Sequence, residues 1–305
     1  MNSNHSSGLD AEALRVRRFF LLFTGVFVAL AVISMSVAGS RPFQNIGQFF
    51  LLPAGVTVVV FALAMLVLWK LIRISSFLAH ALATLVALLA LNWMIAHDVP
   101  LQIKQLGSSY LIFFYHFPAA INCFLFYTML MVFSVLYLKS EDPLWDRCGR
   151  VAAEIGLLAT SVVLVTGSTW AKAAWGHWWV WDDKRLMTVA IMWLIYAGYM
   201  MLQKQMDDAE RRRRFAAVFG ILAFLNLPLV HFAVSWFGEV SHPPSFEELA
   251  GEGVQIITIT RWYGVLAFLC LYALLYRWKL AREGLQERLQ AALAEARRLE
   301  EGGLA

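Results

Sequence analysis

The chain has 305 residues, 60% hydrophobic and only 15% charged, with a formal net charge of +4. Ordinary soluble domains carry roughly 25% charged residues, so the composition excludes such a domain and predicts an all-α, polytopic transmembrane helical bundle. Its surroundings are membrane lipid, and no feature points to nucleic acid.

In chain order, stretches of about 20 apolar residues, the length that crosses about 30 Å of hydrocarbon as a helix, fall at eight places. These are 19–39, 53–72, 77–97, 117–138, 151–170, 186–203, 215–236 and 262–278. The first ends at Ser36-Val37-Ala38. At about 20 residues it exceeds the 7–15 of a cleaved signal's apolar region and reads as a retained anchor.

Cytoplasmic loops retain Lys and Arg. With the N-terminus inside, nineteen of the 25 basic residues lie on the inner side, among them the run Arg211 to Arg214. Six (Arg41, Lys104, Lys172, Lys184, Arg185, Arg261) lie on the outer side. Both termini are therefore expected in the cytoplasm. The outer face carries two loops, roughly 98–116 and 237–261, too short to fold alone. From Lys279 to Glu301, Leu285, Leu289, Leu293 and Leu299 recur at helical spacing with Glu and Arg between them, an amphipathic extension of the last helix. The chain thus divides into an N-terminal tail with the first two spans (1–75), a transmembrane core (76–278) and a cytoplasmic C-terminal helix (279–305).

Cys123, Cys148 and Cys270 form no CxxC or CxxCH, which speaks against thiol-redox chemistry and covalent haem attachment to this chain. No GxxxxGK[ST] loop is present, so an ATP-driven step belongs to a partner.

Ionisable groups at membrane depth are functional suspects. His116, in YHFPAA, sits about 33 Å above the inner end of its span near Leu138 at about 1.5 Å per residue. His231, in NLPLVHF, sits about 24 Å above Phe215 by the same count. Two histidines on different helices thus reach the outer layer, and Pro228 predicts a kink just before the second. A pair of neutral imidazoles can hold a transition metal or the iron of a haem from opposite faces. His97 is a lesser candidate, and His80 and His5 read as structural or inert.

The stretch WGHWWVWDDKR, Trp175 to Arg185, falls on the same face. The aromatic belt of membrane proteins accounts for Trp69, Trp93, Trp145, Trp262 and Trp278, but not for five tryptophans between 170 and 181. As a short interfacial helix, the stretch would set Trp175, Trp178, Trp179 and Asp182 on one arc with Arg185 at its border. Such a platform suits a flat amphiphile whose rings stack on indole and whose carboxylates meet Arg185, Lys184 or Lys172. Gly176 permits a turn or close backbone approach.

Together WGHWWVWDDKRL, YHFPAA and NLPLVHF resemble the heme exporter protein C (CcmC) family of cytochrome c maturation. That family carries a WGxxWxWDxRLT-type signature, matched at Trp175, Gly176, Trp179, Trp181, Asp182, Arg185 and Leu186, within a WWD segment spanning 170–188. Asp183-Lys184 adds one residue to the family spacing, and the family usually has six spans. The resemblance implies a non-enzymatic protein of the inner membrane that binds haem b (iron protoporphyrin IX) at the periplasmic face. His116 and His231 would be its axial ligands, and Trp175, Trp178, Trp179, Trp181, Gly176 and Asp182 its platform. It further implies delivery of haem to the chaperone CcmE beside the ABC-type subunits CcmA, CcmB and CcmD. The rival readings are a haem lyase of the wider superfamily and a membrane b-type cytochrome.

Overall fold

The computed structural model describes residues 76–99, 107–237 and 254–303, all within the unit Val58–Ala305. The expected spans 19–39 and 53–72 lie outside the described residues, as do His5, Arg41, Lys104, His242 and, of the two expected outer loops, residues 100–106 and 238–253. Among the described residues the regular structure is helical. Seven α-helices follow in order: α1 (Ser76–His97), α2 (Phe113–Ser140), α3 (Pro143–Trp175), α4 (Lys184–Gln205), α5 (Ala209–Phe224), α6 (Asn226–Phe237) and α7 (Val254–Gly303). A single 3₁₀ turn, Ser109–Ile112, leads into α2.

Six stretches are long and apolar enough to cross a membrane, with α5 and most of α6 counting as one. They coincide with the last six expected spans, and the chain is a multi-pass membrane protein. The helices overrun the expected bounds because hydropathy marks only what lies in hydrocarbon. Residues 113–116 and 254–261, expected in outer loops, belong to α2 and α7.

Local chemistry sets the helix ends. Glu141 closes α2 in the left-handed conformation (φ 55°), its N–H donating to the Tyr137 carbonyl. Asp142 then caps α3, accepting from the Leu144 N–H at 3.0 Å, with Pro143 at the first helical position, where no N–H is missed. Asp208 caps α5 through the N–H groups of Glu210 and Arg211. The break between α5 and α6 falls at Leu225. Pro228 has no N–H to offer the carbonyl four residues back, that of Phe224, so the helix resets there.

Helix α3 is the spine. Gly149, Ala152, Ala153, Gly156, Ala159 and Thr160 are buried along one face, the small-residue packing that lets membrane helices approach closely. Into it fits Tyr127 of α2, whose hydroxyl pairs with Thr160 Oγ1 at 2.8 Å and whose ring stacks on Tyr196 of α4 at 3.4 Å between centroids. α7 is joined to α2 by Asn122, which donates to the Val265 carbonyl, and to α3 by Tyr276, which donates to the Cys148 carbonyl. Three ion pairs, Lys279–Glu154, Arg150–Glu283 and Arg147–Glu287, continue the α3–α7 seam toward the C-terminus.

Candidate functional site

The α2 N-terminus, the α3 C-terminus and the α4 N-terminus meet at one end of the bundle around a small, open-sided cleft of about 80 Å³. His116 of α2 lines it. So do Val163, Leu164, Gly167, Ser168, Trp170 and Trp175 of α3, Trp179 of the connection, and Arg185, Leu186 and Val189 of α4.

The expected tryptophan-rich helix is not formed: α3 stops at Trp175 and α4 starts at Lys184. Two residues enforce the break. Gly176 adopts the left-handed conformation (φ 79°) with its N–H on the Lys172 carbonyl, which ends α3 at low steric cost. Asp183, 2% exposed, turns its carboxylate onto the Leu186 N–H at 3.0 Å and starts α4.

Because the connection is irregular, its tryptophans separate. Trp175 and Trp179 face the cleft, joined by Trp170, whose ring stacks on Trp175 at 6.5 Å and meets His116 edge-on at 6.3 Å. Trp178 and Trp181 are 59% and 75% exposed, and Asp182 is exposed. Lys172 is turned back on its own helix end, Nζ donating to the Gly176 carbonyl at 2.9 Å. Lys184 is exposed at the start of α4, while Arg185 borders the cleft. His231 is exposed on α6, edge-on to Phe232 at 4.7 Å, and is not in the cleft wall. Of the other described histidines, His97 stacks on Trp93, both ring nitrogens of His80 have partners, the Cys270 carbonyl and Arg277, and His177 is exposed.

Arg185 brings a full positive charge to the cleft wall, while the N-terminus of α4 is capped by the Asp183 carboxylate. The indole N–H groups of Trp170 and Trp179 are buried with no acceptor among the described residues, and such donors favour a ligand bearing acceptor oxygens. Sequence reasoning missed Thr166 and Gly167, and held Trp170 only as one of the five clustered tryptophans. Trp170 carried a signal, standing four residues from Thr166 on one face of α3; the pairing of that face with His116 depends on helix register, which the sequence does not display.

The family described as heme exporter protein C matches residues 61–295. The chain belongs to the heme exporter protein C family. It is 36% identical over 152 residues to a cytochrome c biosynthesis ccmC-like mitochondrial protein of Marchantia polymorpha, covering 50% of this chain and 63% of that one. Heme exporter protein C of Bradyrhizobium diazoefficiens is 32% identical over 188 residues, 61% of this chain and 71% of the relative. That of Escherichia coli K12 is 32% identical over 152 residues, 50% and 62%. The alignment thus spans a little under two thirds of the liverwort and E. coli members of the heme exporter protein C family.

Proposed function

We propose that this member of the heme exporter protein C family binds haem b at the outer, periplasmic end of the bundle and delivers it to the membrane-anchored chaperone CcmE, in company with CcmA, CcmB and CcmD. The observation that carries this reading is the cleft itself, an imidazole among three indoles with a cationic rim. Each part suits a part of the cargo. His116 offers nitrogen to the iron, Trp170, Trp175 and Trp179 offer faces to the porphyrin, and Arg185 offers charge to the propionates. His231, on α6, which packs on α4, would offer the iron a second nitrogen. Trp178 and Trp181, exposed beside the cleft, are the surface a receiving chaperone meets.

The protein acts without catalysis, in the inner membrane, with both termini in the cytoplasm. Of the histidines near the opposite end, His80 has both ring nitrogens engaged, which disfavours the stacked second haem of a b-type electron carrier.

The test is the purified full chain from haem-replete cells. The expected result is a haem absorbance band, lost in the His116→Ala/His231→Ala double variant, and transfer of that haem to added chaperone. A colourless parent protein would sink the reading. Haem that cycles with quinol without transferring would favour electron transport, and haem fixed to apocytochrome thiols a lyase.

A further inference from the structure

His116 lies against consecutive residues of α3 whose chemistry fixes more than its position. Its Nδ1 is 3.0 Å from Thr166 Oγ1. A threonine hydroxyl has one proton and two lone pairs, and this one donates its proton back along the helix to the Val162 carbonyl at 2.6 Å, with Val163 O further off at 3.3 Å. Oγ1 is therefore left to accept, and Nδ1 must donate. In a neutral imidazole Nε2 then carries the lone pair. The next residue clears the space. A Cβ at Gly167 would stand 3.1 Å from His116 Cε1 and 3.6 Å from Nδ1, so the ring rests where any larger residue would press it away.

We infer that Thr166 and Gly167 form a seat that sets the tautomer and orientation of His116, with Thr166 as a positioning residue that makes Nε2 the iron-binding nitrogen. This rests on the proposed haem reading. A hydrogen bond that holds one imidazole nitrogen fixes the other as ligand and raises its basicity, and losing such a partner lowers affinity about ten- to a hundred-fold. Thr166 acts on the metal only through the ring.

The experiment uses the full chain with Thr166→Val, Thr166→Ser, Gly167→Ala and His116→Ala, read by haem titration, by the ferric absorbance and paramagnetic resonance spectra, and by nitrogen-15 spectra of labelled histidine without haem. Thr166→Val keeps the shape and removes the acceptor. It is expected to weaken haem binding about ten- to a hundred-fold, to change the ferric spectrum and to shift the His116 nitrogen signals toward the Nε2–H tautomer. Thr166→Ser restores all three. Gly167→Ala, which leaves the hydroxyl in place, alters the ferric spectrum by displacing the ring. Parent affinity, spectrum and tautomer in Thr166→Val, in a protein whose His116→Ala form has lost haem, would overturn the seat and leave the haem reading standing. Unchanged haem binding in His116→Ala would sink the haem reading, and the haem-free nitrogen spectra would then decide the seat alone.

Discussion

Tyr127 reaches the centre of the bundle because Gly156 has no side chain. A Cβ there would lie 2.5 Å from the ring's Cε1, and the ring is already flat against Tyr196. Gly156→Ala is expected to destabilise the bundle by about 1–3 kcal/mol, the usual cost of overpacking, seen as a lower thermal midpoint in detergent. An unchanged midpoint would mean that Tyr127 moves aside freely. In the cleft, Arg185→Ala should weaken haem binding about tenfold or more, since hydrogen bonds to charged groups contribute roughly 1.5–3 kcal/mol. Lys184→Ala, at an exposed position, should change it far less, and equal losses in the two titrations would contradict the placement of the propionates. At this scale the sequence exposed the residue types clearly. WGHWWVWDDKR announced itself by composition, yet which indoles face inward follows from the path of an irregular connection. Trp178 and Trp179 are neighbours in the chain and differ in exposure because no helix orders them.

Helix ends decide that path. Asp183 is buried and caps α4, so Asp183→Ala should cost about 0.5–2 kcal/mol, with Asp183→Asn recovering most of it in the same thermal melt. The loss should also loosen the position of Arg185, two residues on. Six expected spans were legible because about 20 apolar residues have few alternatives in lipid. Their ends were less so, since caps such as Asp142 and Gly176 lie beyond the apolar window. Pro228 predicted a disturbance near His231 and the helix breaks at Leu225, three residues earlier, where the lost hydrogen bond belongs. The interfacial helix failed for a reason visible afterwards in the sequence: a glycine and an aspartate bracket the stretch, and each favours an end of a helix over its middle.

For the molecule as a whole, the alternation of helices puts His116, Trp175, Trp179 and Arg185 at one end and the α3–α7 ion pairs toward the other. Sidedness rests on the distribution of Lys and Arg and has a direct check. A cysteine at exposed Trp178 should react with a membrane-impermeant reagent from the periplasmic side of intact cells, and one at exposed Leu293 only after the membrane is opened. The reverse pattern would invert the topology. Which helices neighbour one another was not legible, because a lipid-facing apolar surface and a buried one read alike in hydropathy.

The 50 residues of α7 form one rod of about 75 Å against a hydrocarbon layer of about 30 Å. Up to Glu287 it is tied to α3, whereas Leu289, Leu293 and Leu299 beyond it are more than half exposed. One continuous helix is thus governed by two clocks. Amides near Tyr276 can exchange their hydrogens with solvent only when the bundle opens, while those past Arg288 exchange by fraying of a single unsupported helix near the minimum length for stability in water, about 12–15 residues. Slowed exchange of the distal amides, with no change near Tyr276, would therefore register a protein bound to the tip without any label on the cleft.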